Sequence, residues 1–231
     1  MTEPAADREL IEQIRHALAE AADPERAPTM QAYMKSTMPY LGVAVPTVRS
    51  ITRRLERGRP PADEAQLLAT VTESWRTAEF REHRYAATEL LNTATARRLS
   101  GAAGLPLLEE LIRQGAWWDH VDELSHRVGE LLAAYPDELS PVIRQWAVSE
   151  DRWLRRSAVI CQLGRKGHTD TELLSYAIDA NLGDRDFFLR KAIGWALREY
   201  ARTDPGWVVE FVRDRGDRLS PLSVREATKH L

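Results

Sequence analysis

Cysteine is almost absent from this sequence of 231 residues, in which Cys161 is its one representative. A single thiol cannot form an intramolecular disulfide, so the sequence is not a disulfide-stapled scaffold of the kind found among small secreted proteins. Cys161 ends the apolar run AVIC at 158–161. We therefore expect it to be a small buried hydrophobic residue rather than a reactive thiol.

Long apolar runs and targeting signals are also lacking. No stretch approaches the roughly 20 apolar residues that a membrane-spanning helix needs. The polar and acidic segment 1–7 does not combine a basic region with an apolar one, as a secretory signal would. The sequence thus predicts a cytoplasmic protein in a reducing compartment, without membrane contact.

Cofactor motifs are missing as well. There is no glycine-rich GxGxxG or Walker loop, no CxxC and no HExxH. The six histidines are scattered, and none has metal-ligand spacing to cysteine or to a second histidine. We predict that the protein uses neither a metal ion nor a nucleotide cofactor.

Helical periodicity is what the sequence has in abundance. Hydrophobic residues make up 43% of the chain, and apolar positions recur at i, i+3 and i+4, as in segments 10–18, 107–112 and 128–132. Sustained apolar–polar alternation is not found. Proline breaks and short loops divide the chain into about 12 helices. The sequence therefore predicts an all-α fold in one domain, 1–231.

A repeat of about 35 residues links three segments of the chain. WLRRSA at 153–158 resembles FLRKAI at 188–193, and the same step backwards from Trp153 reaches Trp118. Two helices per repeat are typical of an α-solenoid, in which equivalent helices line one concave surface. Equivalent positions are then expected to point into one groove.

The segment WWDHVD at 117–122 is the best candidate for chemistry. Trp118 and Asp122 are four residues apart and share one helical face, which the repeat directs into the groove. Trp117 is better explained as a core anchor, and Asp119 as a helix cap.

Basic and aromatic residues supply further candidates. Arg156, on the next equivalent helix, could bind phosphate or pair with Asp122, and residue type alone does not decide between them. Trp195 follows Gly194, a residue that allows close approach, and a tryptophan in a helix is by itself more typical of the core than of a ligand contact. The net charge of −3 does not favour nucleic acid, but a local basic stripe with few nearby acids favours phosphate contact. The stripe consists of Arg49, Arg53 and Arg57, and Arg190 and Lys191 extend this candidate surface.

Two long and specific strings are WWDHVD at 117–122 and KAIGWALREYA at 191–201. Shorter ones are MQAYMK at 30–35, WLRR at 153–156 and PLSVREA at 221–227. In these strings, which run through most of the chain, the sequence resembles the AlkD family of bacterial DNA alkylation-repair glycosylases.

The resemblance implies an α-solenoid of HEAT-like helical repeats whose concave groove binds duplex DNA. It implies excision of cationic alkylated purines, N3-alkyladenine and N7-alkylguanine, by a monomer without a metal ion or cofactor. The catalytic cleft of the family maps onto Asp122, Trp118 and Trp195. Arg156 matches its arginine neighbour, and Tyr33 matches an aromatic that closes one side of the cleft.

Elementary chemistry agrees with this implication. A carboxylate can stabilise the oxocarbenium ion that forms as a cationic base departs, and tryptophan faces attract cations. Two alternatives remain: a specialised glycosylase for bulky natural-product adducts, and a non-catalytic HEAT-like scaffold that binds DNA or a protein. The retained aspartate and tryptophans favour an enzyme over the scaffold.

Overall fold

The structure is a computed structural model that describes residues 5–231, and it is all-α as the sequence predicts. These residues form fourteen α-helices and three single-turn 3₁₀ helices, and no strand occurs within this range. The periodicity predicts fewer helices because some segments are only six to eight residues long. Contacts divide the chain into two compact units, Met1–Leu107 and Leu108–Leu231, so the single domain stays a prediction.

The first unit contains six helices in which α3 and α5 pack together and α1 and α4 cover them. Its core is aliphatic around the fully buried Trp75. The helices are α1 (Arg8–Glu20), α2 (Ala27–Met34), α3 (Val45–Gly58), α4 (Glu64–Arg76), α5 (Arg81–Leu90) and α6 (Ala94–Leu99).

A buried carboxylate fixes the chain that leads into α3. Glu82 of α5 accepts hydrogen bonds of 2.9–3.1 Å from the amides of Leu41, Gly42 and Val43. Gly42 has a φ of 88°, and a Cβ atom there would lie 2.1 Å from the carbonyl oxygen of Asp23. Charge-assisted bonds to three amides are strong, so the start of α3 is held firmly.

The second unit repeats one packing step along the chain. Helices α8, α10, α12 and α14 pack in succession, and α9, α11 and α13 pack behind them, as in HEAT-like helical repeats. The helices are α7 (Leu105–Gly115), which begins in the first unit, α8 (Trp118–Ala134), α9 (Pro136–Ala147), α10 (Arg152–Ile160), α11 (Thr171–Asp179), α12 (Phe187–Tyr200), α13 (Pro205–Arg215) and α14 (Pro221–Ala227).

Aspartate caps set the starts of consecutive helices in this unit. Asp151, Asp170 and Asp186 each accept hydrogen bonds from two amides in the first turn of α10, α11 and α12. Such caps satisfy amides that have no partner within the helix. They fix where α10 and α12 begin, and therefore where the side chains on those helices lie.

Two glycines allow these helices to approach closely. A Cβ atom on Gly129 of α8 would lie 1.8 Å from the carbonyl oxygen of Cys161, just after α10. A Cβ atom on Gly194 of α12 would lie 2.5 Å from the Cβ of Glu226 on α14. The close approach predicted at Gly194 is confirmed, and the group that approaches it is another helix.

Cys161 is buried, as predicted. Its thiol is 1% exposed, and burial raises its pKa to about 12. A thiol with such a pKa is protonated at neutral pH, so it is a poor nucleophile.

Candidate functional site

Asp122 and Arg156 form a bidentate ion pair between α8 and α10. Arg156 Nε lies 2.7 Å from one carboxylate oxygen of Asp122, and Nη2 lies 2.8 Å from the other. The arginine side chain is 5% exposed, whereas the carboxylate is 17% exposed. The alternative left open by the sequence is therefore decided for this structure: Arg156 pairs with Asp122.

The third nitrogen of Arg156 connects the pair to α12. Nη1 donates a hydrogen bond of 2.6 Å to the carbonyl oxygen of Phe188, in the first turn of that helix. All three guanidinium nitrogens thus have acceptors, which a buried arginine requires. Because the fork is planar, these three contacts fix the orientation of the Asp122 carboxylate. Sequence alone cannot indicate the Phe188 carbonyl as a partner, since every residue has a carbonyl.

Three aromatic rings pack at the starts of the same helices. The ring centroid of Phe188 lies 5.3 Å from that of Trp117 and 5.1 Å from that of Trp153, and the two indoles are 6.1 Å apart. Trp117 thus packs against two other rings, but it is half-buried and does not belong to the buried core, so its interpretation as a core anchor stays a prediction. The expected groove position of Trp153 is wrong, because Trp153 is buried in this cluster.

The register of the repeat also differs by one residue from the prediction. Trp117, not Trp118, joins the cluster with Trp153 and Phe188. Trp118 is the first residue of α8, and Trp117 is its cap residue. Asp119 lies inside the first turn, so its prediction as the cap is wrong. A carboxylate there still interacts favourably with the helix dipole.

Trp118 and Trp195 are both half-buried, so each ring is partly open to solvent. Trp118 lies one helical turn before Asp122 on the same face of α8. Trp195 lies two turns after Phe188 on α12, about 10 Å along the axis. Neither indole forms a hydrogen bond or a ring–ring contact with another side chain of residues 5–231. Both rings therefore have surface available to a ligand.

The predicted DNA contact Lys191 has a carboxylate partner. Its Nζ lies 2.7 Å from Glu226 of α14, and Arg198 lies 2.6 Å from the second oxygen of the same carboxylate. The hydrogen bond from Lys191 lowers the pKa of Glu226, and the nearby charges of Lys191 and Arg198 act in the same direction. Arg190, by contrast, donates only a long hydrogen bond of 3.4 Å to the carbonyl of Asp186.

Two arginines of the basic stripe in the first unit are paired with a carboxylate, which the sequence does not predict. Arg53 forms a short ion pair with Glu89 of α5, and Arg49 Nε lies 3.5 Å from the same carboxylate. The expectation that acids are nearly absent from its surroundings is wrong, because Glu89 comes from a neighbouring helix. Arg57 in the last turn of α3 is exposed, and Tyr33 on α2 is 75% exposed.

Charged side chains recur at one register in each unit. In the second unit Asp122, Arg156 and Lys191 are each the fifth residue of their helix, and Glu226 is the sixth. The pairs 122/156 and 191/226 are separated by 34 and 35 residues. In the first unit the pair 53/89, 36 residues apart, repeats the arrangement on α3 and α5. This spacing was the signal that could have identified Glu89 and Glu226.

The fork of Arg156 should matter more than its charge. We expect Arg156→Lys to remain folded but to hold Asp122 poorly, because an ammonium cannot replace two parallel hydrogen bonds and a third to Phe188. The weakened buried pair should lower the free energy of unfolding by about 2 kcal/mol. Urea denaturation followed by tryptophan fluorescence measures it. Arg152→Lys on the same helix is the control, since the Arg152 side chain is 47% exposed and its pair with Asp186 should contribute little. Equal losses in the two variants would contradict this view of Arg156.

Metal-binding clusters and membrane-spanning helices are both absent from the described residues 5–231. Residues 5–231 contain no group of three or more histidine, cysteine, aspartate or glutamate side chains placed to hold a metal ion. Among the helices of this range, none is both long and apolar enough to cross a bilayer.

The sequence and the fold of this chain are similar to those of known proteins. Residues 14–231 match the family described as DNA alkylation repair enzyme. A solved structure described as a predicted DNA alkylation repair enzyme from Enterococcus faecalis is 30% identical, with a TM-score of 0.82 over 91% of this chain and 96% of that one. No curated protein matches the chain.

Two structures from Streptococcus mutans share the fold at lower identity. AlkD2 is 12% identical with a TM-score of 0.64, over 94% of this chain and 99% of its own. The protein smu.31 is 16% identical with a TM-score of 0.60, over 80% of this chain and 99% of its own.

Proposed function

We propose that this chain, which belongs to the family of DNA alkylation repair enzymes, is a DNA glycosylase. Its substrates would be cationic alkylated purines in duplex DNA, N3-alkyladenine and N7-alkylguanine. The reaction would hydrolyse the N-glycosidic bond without a metal ion or other cofactor, in the cytoplasm and as a monomer. The observation that carries the proposal is the Asp122 carboxylate, oriented by a buried arginine and yet partly exposed.

The charge of the substrate explains why one carboxylate can be enough. Alkylation at N3 or N7 makes the base a cation, so it departs as a neutral molecule and needs no general acid. Positive charge then develops on the sugar as an oxocarbenium ion. A carboxylate beside the anomeric carbon stabilises this charge and can orient the attacking water.

Asp122 keeps acceptor capacity for these roles. Each carboxylate oxygen can accept about two hydrogen bonds, and Arg156 occupies one on each. The remaining positions can accept from a water molecule or face the sugar. Since Arg156 is almost completely buried, the partly exposed carboxylate is the group that a ligand meets. Arg156 is thus a positioning residue in this proposal.

The tryptophans would contribute through their faces. A cation over an indole is stabilised by about 1–2 kcal/mol where water is excluded. Trp118 lies one turn before Asp122 and is half-buried, and Trp195 is half-buried on α12. We assign both rings to the cationic base and sugar. We assign Tyr33, Arg49, Arg53, Arg57, Arg190 and Lys191 to contacts with the DNA.

Release of free base tests the proposal directly. Wild-type protein in excess over a duplex with one N7-methylguanine should release 7-methylguanine at least about 100-fold faster than buffer alone, a modest part of the acceleration that enzymes achieve. A matching duplex with unmodified guanine should release nothing, because a neutral base needs protonation to leave. Chromatography of the free base measures both.

Two outcomes would contradict this proposal in different ways. Release at the buffer rate from both N7-methylguanine and N3-methyladenine would exclude a glycosylase for small lesions. A bulky N7-guanine adduct would then be tested, and release from it alone would identify the specialised enzyme. Binding of duplex DNA without any release would identify a scaffold.

A further inference from the structure

Three arginines without carboxylate partners surround one open cavity in the second unit. The cavity has a volume of about 510 Å³ and lies between the loop before α12 and the loop before α14. Arg185, Arg190 and Arg218 line it together with Asp184 and Asp217. No carboxylate of residues 5–231 lies within 4 Å of any of these three guanidinium groups.

The cavity brings together three arginines that lack a carboxylate partner. Four other arginines of the described part of this unit lack one too, but none of them lines the cavity: Arg144, Arg165, Arg202 and Arg225. Arg113, Arg152, Arg155, Arg156 and Arg215 all have carboxylates within 4 Å. Arg190 and Arg218 donate only long hydrogen bonds of 3.4 and 3.5 Å to backbone carbonyls. Most of their donors therefore remain available to an anion.

The charge of the lining is more positive than its residue types indicate. Asp184 is already engaged, since Arg155, which does not line the cavity, donates to it at 2.8 Å. Asp217 is the one lining carboxylate without such a partner in the described part of the chain. Three cations thus face one uncompensated anion.

We propose that Arg185, Arg190 and Arg218 form a binding site for backbone phosphates of duplex DNA. A guanidinium fork matches the geometry of phosphate oxygens, and three forks around an open cavity can contact more than one phosphate. The site includes Arg185 and Arg218, which lie outside the strings that resemble the AlkD family. It rests on the proposed function for its ligand, because a repair enzyme of this kind must bind DNA wherever a lesion lies.

Salt dependence measures these contacts. Neutralising phosphates releases counterions, so the logarithm of the DNA association constant falls linearly with the logarithm of salt concentration, by about 0.9 per contact. We expect the double variant Arg185→Gln/Arg218→Gln to reduce the magnitude of this slope by about 1–2. Its affinity for an undamaged fluorescent duplex at low salt should fall at least about tenfold. Fluorescence anisotropy across a salt series gives both values.

Arg202→Gln supplies the matched control. Arg202 is exposed in the turn after α12, about 18 Å along the helix axis from Arg190, and it does not line the cavity. Its loss changes the net charge but should leave the slope nearly unchanged. Asp217→Asn should act in the opposite direction and tighten binding about twofold to threefold, since it removes the uncompensated anion. Thermal melting of each variant verifies that the helices remain folded.

The outcomes separate this site from the proposed chemistry. A double variant with the slope of wild type, or of Arg202→Gln, overturns the phosphate site even if wild type releases base rapidly. A reduced slope in the double variant alone supports the site, even if wild type releases no base. A wild-type chain that does not bind duplex DNA at low salt overturns the site as well.

Discussion

Asp122→Asn should abolish most base release while leaving the chain able to bind DNA. The amide is nearly the same size as the carboxylate but carries no charge, so it cannot stabilise the oxocarbenium ion. Loss of a well-placed electrostatic contact commonly lowers a rate by about 100-fold to 1,000-fold. Single-turnover release of 7-methylguanine, with protein in excess, measures the chemical step without interference from product release.

Glu123, the next carboxylate along α8, provides a control for the loss of one negative charge. Glu123→Gln removes the same charge one residue along α8 and should retain activity within about threefold of wild type, because residue 123 lies about 100° around the helix axis from Asp122 and so on a different face. Asp122→Asn also leaves Arg156 without its ionic partner, so its urea midpoint should be lower than that of wild type. Full activity in a folded Asp122→Asn protein would rule out Asp122 as the catalytic carboxylate.

Gly129→Ala should cause a large loss of stability although it adds only one methyl group. The added Cβ would lie 1.8 Å from the carbonyl oxygen of Cys161, which is backbone and cannot rotate away. Helices α8 and α10 would have to separate, and overpacking of this kind costs about 1–3 kcal/mol or more. In an unpacked helix the same change would be stabilising by about 1 kcal/mol. The sign of the change therefore tests the close approach.

Gly58→Ala is the matched control for this experiment. Gly58 also lies in a helix, at the end of α3, but nothing lies within 4 Å of an added Cβ there. Its free energy of unfolding should stay within about 0.5 kcal/mol of wild type or increase slightly. Urea titration of both variants and wild type gives the comparison. A Gly129→Ala protein as stable as wild type would mean that α8 and α10 do not approach as described.

The all-α fold could be predicted because helical periodicity is a local signal that runs through the whole chain. The caps Asp151, Asp170 and Asp186 are local too, and each stands just before its helix. The choice between Trp117 and Trp118 was not accessible in the same way. Adjacent residues differ by about 100° around a helix axis. A repeat period that is known only to within one residue cannot tell which of two adjacent residues faces a given side.

Partners of charged residues were the least predictable feature. The basic stripe on α3 has few acids near it in the sequence, but Glu89 approaches it from α5, which is distant in the sequence. Arg156 could be placed on the right helix, but whether it binds Asp122 or phosphate depends on burial. A guanidinium that is 5% exposed must have a carboxylate or equivalent acceptors nearby, and burial follows from packing rather than from residue type.

The paired register of charges has a consequence for how related sequences can diverge. At 53/89 and at 191/226 the carboxylate also faces a second cation, Arg49 or Arg198, so the two signs can be exchanged without loss of the tie only if that cation changes with them. Exchange at 122/156 would keep an ion pair but lose the hydrogen bond to the Phe188 carbonyl, and it would move the carboxylate from α8 to α10, away from Trp118. The signs of an ion pair can thus be exchanged where the pair only joins two helices, but not where it positions a catalytic carboxylate. Related sequences should therefore show exchanged charges at the first kind of pair and unchanged charges at the second.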